Sequence, residues 1–185
     1  MEHADLELPE PDTKDWTWTV RHRCPECGVA VGELTLRQVA ELTDLAAQQW
    51  TELLSQRDEA ALRARPRPRV WSPTEYAAHV RDVGRVFLTR LDLMLAEDTP
   101  SFQDWDQDAA AVAGGYSTLD PRQLAPAVGV SLGAFAARLR EVPLGEEQRR
   151  GIRSNGSEFT ILTLAQYFLH DVVHHLHDVG RPLKV

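Results

Sequence analysis

The chain has 185 residues, enough for one domain with a real core, and its 43% apolar and 26% charged content is that of a soluble globular protein. A formal net charge of −8 argues against nucleic acid as a partner, since no basic block offsets phosphate repulsion. No apolar run reaches the length of a membrane span, and the acidic start from Met1 to Lys14 lacks a signal-peptide core, so an intracellular, cytoplasmic protein without membrane attachment is expected.

Residues 1–15 are acidic, carry Pro9 and Pro11, and lack periodicity, as in a poorly ordered arm. Trp16-Thr17-Trp18-Thr19-Val20 alternates aromatic and β-branched residues and reads as a short extended piece lying on the body. Cys24-Pro25-Glu26-Cys27-Gly28 follows, shaped like half of a zinc knuckle. A structural zinc site needs four ligands and no second cysteine pair exists, so His3, His22, an acidic side chain or a second subunit would have to complete it. A redox dithiol and a tight turn without chemistry are the other readings of the same five residues. The absence of export signals fits reduced thiols better than a disulfide framework.

From Leu34 to about Ala64 apolar residues recur at three- and four-residue steps, predicting a long helix that Arg65-Pro66-Arg67-Pro68 ends. Ser72-Pro73-Thr74-Glu75 predicts a sharply capped second helix running to about Glu97, with His79 inside its apolar stripe. Residues 98–119 form a long connection with Trp105-Asp106-Gln107-Asp108 and a short helix over Ala109–Ala113, the kind of loop that walls a pocket or pins itself to the bundle. Asp120-Pro121 opens a third long helix to about Arg140. A polar stretch over 143–157 precedes the last helix, for which Thr163 and Gln166 offer a capping box and Gly180 and Pro182 a stop. The fold class is therefore all-α, a four-helix bundle over 33–185 with an irregular extension over 1–32 that carries the CPECG turn.

The last helix is the richest in chemistry, with four of the seven histidines between His170 and His177. At about 100° per residue, His170, His174 and His177 fall within roughly 60° of one another, on a stripe shared with Thr163 and Tyr167 and free of charged residues, while His175 points elsewhere. Two imidazoles at i, i+4 can grip one ion from a single helix, and His79 on another helix can supply a third.

A capped helix beginning Trp71-Ser72-Pro73-Thr74-Glu75-Tyr76-Ala77-Ala78-His79, the Trp105-Asp106-Gln107-Asp108 loop, and a last helix with His170-x3-His174 together resemble the DinB/YfiT-like superfamily over roughly residues 33–182, and most nearly its members related to mycothiol-dependent maleylpyruvate isomerase. The resemblance implies a bundle, often a homodimer, binding a divalent ion (zinc or nickel) through His79, His170 and His174. It also implies a low-molecular-weight thiol such as mycothiol as co-substrate, for S-transfer to a small electrophile or its isomerisation. In the isomerase branch one of the three ligands can be a carboxylate, whereas this alignment of motifs gives three histidines. The CPECG turn, His175 and His177 are not part of the general pattern. From their places one turn from the paired histidines, Tyr167 is expected to hydrogen-bond the substrate and His177 to carry a proton, the alternative for each being a plain pocket wall, while Asp171 and Asp178 orient an imidazole or face water. The competing reading is a non-catalytic metal-binding protein or a thiol or metal-stress sensor built on Cys24 and Cys27.

Overall fold

The computed structural model describes residues 9–11 and 14–183, so His3 and most of the acidic arm lie outside the described residues. Four long helices make the body: α1 (Leu36–Gln56), α3 (Pro73–Ala96), α5 (Pro121–Arg140) and α6 (Ile161–Asp178), with the short α2 (Glu59–Arg63) and α4 (Gln107–Ala113) between them. Both α1 and α3 pack against both α5 and α6. Where they meet, Phe168 is fully buried, its ring 4.0 Å from that of Phe135 and 5.6 Å from that of Phe87. Burying an aromatic side chain of this size contributes about 1.5–3 kcal/mol. Trp50 on α1 adds a hydrogen bond from its indole N–H to the Val172 carbonyl of α6. No helix among the described residues is long and apolar enough to cross a membrane.

Local chemistry sets the helix ends. Ser72 and Glu75 form the expected capping box of α3, with Pro73 at its first position. Glu75 is buried, and its carboxylate also takes the guanidinium of Arg65, which ties the loop after α2 to the start of α3. The first helix is shorter than its periodicity predicts: Arg57 turns extended, and Asp58 caps a new helix by accepting from Ala61 N. The cap of α6 also differs from expectation. Thr160, not Thr163, is the capping residue, and Thr163 occupies the third helical position and bonds back to it.

A small sheet and the start of the N-terminal segment depart from the expected elements. Residues 143–160 carry a hairpin, β2 (Arg150–Arg153) and β3 (Glu158–Thr160), paired antiparallel, and β1 (Ser101–Phe102) joins β2 in parallel. This small sheet ties the 98–106 connection to the entrance of α6. Gly151 is required there: a Cβ would lie 2.8 Å from both Met94 Cγ and Phe102 Cε1. The Trp16–Val20 stretch, expected to be extended, instead contains a single 3-10 turn over Thr17–Val20.

Candidate metal centre

The structure does not gather His79, His170 and His174 into one group. It splits them between two clusters on neighbouring faces of α6, each with ligand atoms within 4.8 Å of one another: His79 with Asp171 and His175, and Cys24 and Cys27 with His170 and His174. The reason is helix geometry. His174 and His175 are one residue apart and so point about 100° apart, and each pairs with the residue four before it. The spacing fits both pairs, and only the neighbouring elements decide what each one meets.

The first cluster faces α3. His79, fully buried on that helix, places Nε2 3.2 Å from Asp171 Oδ1, and His175 Nε2 lies 3.8 Å from the same oxygen. His175 Nδ1 is held 2.8 Å from Asp178 Oδ2. Rings fix the remaining sides. Trp105, from the loop before α4, stacks on His79 at 5.4 Å; Trp71 tilts against it at 5.2 Å; Tyr76 lies 4.8 Å from His175. Burial alone would raise the Asp171 carboxyl, but His79, through its charge and its hydrogen bond, and His175 hold it down at about 2, so it is ionised at neutral pH. Among the described residues His79 Nδ1 and Trp71 Nε1 are buried without a hydrogen-bond partner.

The second cluster faces the N-terminal segment. Cys24 Sγ is 3.8 Å from His174 Nδ1, and Cys27 Sγ is 3.8 Å from His170 Nε2. The turn between the cysteines closes on itself through Gly28 N donating to Cys24 O and Cys24 N to Val29 O, with Gly28 at φ 78°, a conformation that suits glycine. Trp16 covers the imidazoles, 5.6 Å from His170 and 5.0 Å from His174. Burial, followed by repulsion from His174, pushes His170 down to about 4, which leaves a neutral imidazole at pH 7. Burial likewise raises the Cys27 thiol to about 11. His22 is exposed and takes no part.

A cavity of about 300 Å³ opens onto both clusters, reaching Asp171 and His175 of one and His170 and His174 of the other. Trp16 and Glu26 wall it from the N-terminal segment, Trp71 from the start of α3, and Asp108 from α4. Tyr167 lines it as well; burial, then the negative charge of Asp171, raises its hydroxyl pKa, so it keeps its proton. The other residue expected to act beside the ligands does not reach it. His177 is exposed on the far side of His174, its Nδ1 3.7 Å from Asp178 Oδ1, and is not part of the cavity wall. Asp106 pins the connection by capping α4, accepting from Asp108 N and Ala109 N. Sequence reasoning thus missed Asp171 and His175 as a facing pair, although they share the i, i+4 spacing it used for their neighbours.

A family model of the DinB superfamily matches residues 42–179. No curated protein matches. Among solved structures, the chain is similar to YfiT from Bacillus subtilis, described as a probable metal-dependent hydrolase with an unusual four-helix bundle topology, at 18% identity and a TM-score of 0.70 over 80% of this chain and 89% of that one. It is also similar to a mycothiol-dependent maleylpyruvate isomerase, at 19% identity with TM-scores of 0.63 for one structure and 0.66 for a mutant form. That match covers 81% of this chain but only 62% of the isomerase.

Proposed function

Because the chain belongs to the DinB superfamily, we propose that it is a metal-dependent enzyme centred on His79, Asp171 and His175, which uses a low-molecular-weight thiol such as mycothiol for S-transfer to, or isomerisation of, a small electrophile. The observation that carries this reading is the convergence of two imidazole nitrogens and one carboxylate oxygen beside a cavity of about 300 Å³.

The donor set fits a divalent ion. Two histidines and a carboxylate are the ligands of hydrolytic zinc sites, which keep a position open for substrate, and imidazole suits nickel equally well. A carboxylate among the three ligands is also what the isomerase branch allows. An ion held there would lower the pKa of a thiol or water reaching its open position and so make the nucleophile at neutral pH. The chain's own residues do the rest. Trp71 and Trp105 clamp the His79 ring and shut water out behind it, so that it is pre-positioned. Asp171 contributes a fixed negative charge, because the two imidazoles keep it ionised. Tyr167, protonated at neutral pH, donates a hydrogen bond from the wall to substrate oxygen. Use of a thiol is supported by the mycothiol dependence of the structurally similar isomerase.

The cysteine-containing cluster favours a second reading, a metal or thiol-stress sensor without turnover. The two separate on one experiment: zinc- and nickel-loaded wild type and His79→Ala are assayed for consumption of maleylpyruvate and of chlorobimane in the presence of mycothiol. The enzyme reading expects acceleration by wild type that depends on both metal and thiol and is lost in His79→Ala. Absence of any thiol-dependent acceleration, or full activity in His79→Ala, overturns it.

A further inference from the structure

The function proposed above makes no use of Cys24, Cys27, His170 or His174. We propose that these four residues form a second, closed metal site, a Cys2His2 centre for zinc, whose ion staples the N-terminal segment to α6 and so sets the wall of the substrate cavity.

Geometry comes first. With Zn–S near 2.3 Å and Zn–N near 2.0–2.1 Å, a tetrahedral ion holds a sulfur and a nitrogen about 3.6 Å apart. Both cross-pairs here stand at 3.8 Å, and all four ligand atoms lie within 4.8 Å of one another. The donors come from two places 143 to 150 residues apart in the chain, each with the spacing of a bidentate grip: CxxC on a tight turn and HxxxH on one helix face. Charge agrees. On binding, the two thiols release their protons to solvent, and two thiolates with two neutral imidazoles leave a zinc(II) centre with no net charge, which suits a location where Cys24 is wholly buried and both histidines nearly so. Four protein ligands fill the tetrahedron, so the site has no open position and its role is structural.

The segment it would anchor packs on α6 through its two short turns and buries Val29 and Val31 in the core, and an ion would add a direct tie at the CPECG turn between them. Between Lys14 and Thr35 the only regular structure is two single 3-10 turns, Thr17–Val20 and Val31–Glu33. Gln166 of α6 donates to the carbonyls of Gly32 and Leu34 at the C-terminal end of this segment, but Trp16 and Glu26, which line the cavity, lie beyond the reach of those bonds. A structural ion contributes its binding free energy directly to such a piece.

The test uses the full chain purified under reducing conditions, with zinc content by mass spectrometry and zinc-edge absorption spectroscopy. The expected result for wild type is a zinc population with two sulfur and two nitrogen neighbours. Cys24→Ser with Cys27→Ser should lose one zinc and all sulfur scattering, with cleavage by trypsin at the exposed Arg21 and Arg23 speeding up by at least about tenfold. His79→Ala should keep the sulfur-ligated zinc, so failure of this inference and failure of the catalytic reading are separable. Sulfur-free zinc in wild type, an unchanged zinc count in the double variant, or a Cys24–Cys27 disulfide in the reduced preparation overturns the proposal. Should the double variant fail to fold by circular dichroism, wild type decides: both thiols must resist dithionitrobenzoate until a chelator is added, and immediate reaction of both overturns it.

Discussion

Gly84 sits in α3, five residues past His79, where that helix meets α5. A Cβ there would fall well inside contact distance of Ser131 Oγ and 3.2 Å from the Ser131 carbonyl carbon. The Ser131 hydroxyl cannot simply swing away, because it donates to the Arg81 carbonyl at 2.6 Å. For Gly84→Ala the opposing effects can be weighed. Replacing a mid-helix glycine by alanine gains about 0.5–1 kcal/mol from backbone entropy. Overpacking a close seam costs about 1–3 kcal/mol, and losing the serine bond costs about 0.5–1.5 kcal/mol more. The net is a loss of about 0.5–4 kcal/mol, or a fall in Tm of about 1–16 °C for a chain of this length. Urea denaturation followed by circular dichroism measures it as a lower midpoint at unchanged slope. In a Ser131→Ala background the same change should cost less than about 1 kcal/mol, because the hydroxyl is gone and only the milder contacts with the residue 131 carbonyl carbon and Cβ remain, at 3.2 and 3.3 Å. Equal or greater stability of Gly84→Ala in the wild-type background would refute the argument that the α3–α5 seam is closed to a methyl group.

Glu75→Gln should destabilise by about 3 kcal/mol at neutral pH, since it leaves the mostly buried Arg65 without its charge partner. Burial opposes ionisation of Glu75, but Arg65 and Ser72 outweigh it and hold the carboxyl below its ordinary value; the stabilisation is therefore full above the unfolded pKa of about 4.3 and lost as pH falls through the lower folded one. Urea midpoints of wild type and variant measured from neutral to acidic pH should converge at the acid end, and a constant gap would contradict this. In the mycothiol assay, Tyr167→Phe should lower kcat/KM by about tenfold with metal content unchanged, whereas His177→Ala, altered at an exposed side chain off the cavity wall, should change it by less than about twofold.

Much of the bundle was readable because its signals are local. Ser72-Pro73-Thr74-Glu75 contains its own hydrogen-bonding instructions, as does Asp120 before Pro121, and both cap their helices as expected. The hairpin over 150–160 was not readable: strands of four and three residues leave too few positions for alternation to show, and the pairing is fixed by Phe102, Phe159 and Gly151 meeting from distant points in the chain. The candidate metal ligands divide the same way. His79 lies fully buried, as its place on the apolar stripe of its helix implied, and stands among groups that could hold an ion. Choosing its companions by the least charged stripe of α6 selected His170 and His174 over Asp171 and His175, because charge was taken as a mark of solvent. Here the carboxylate faces inward and is matched by imidazoles, a long-range relation that no window of sequence displays. The same limit hid the partners of Cys24 and Cys27, which lie at the other end of the chain.

The adjacency of the two ligand pairs along α6 also restricts how that helix can change. Inserting one residue upstream of position 170 would turn His170 and His174 toward α3 and leave the cysteines facing Leu169 and Val173, whereas deleting one would turn Asp171 and His175 toward the cysteines and leave His79 facing Val172 and Leu176, so either change dismantles both clusters at once. Nor can the helix roll about its long axis to adjust one pair without dragging the other out of alignment. Its rotational setting is fixed twice over, like a key cut on both edges.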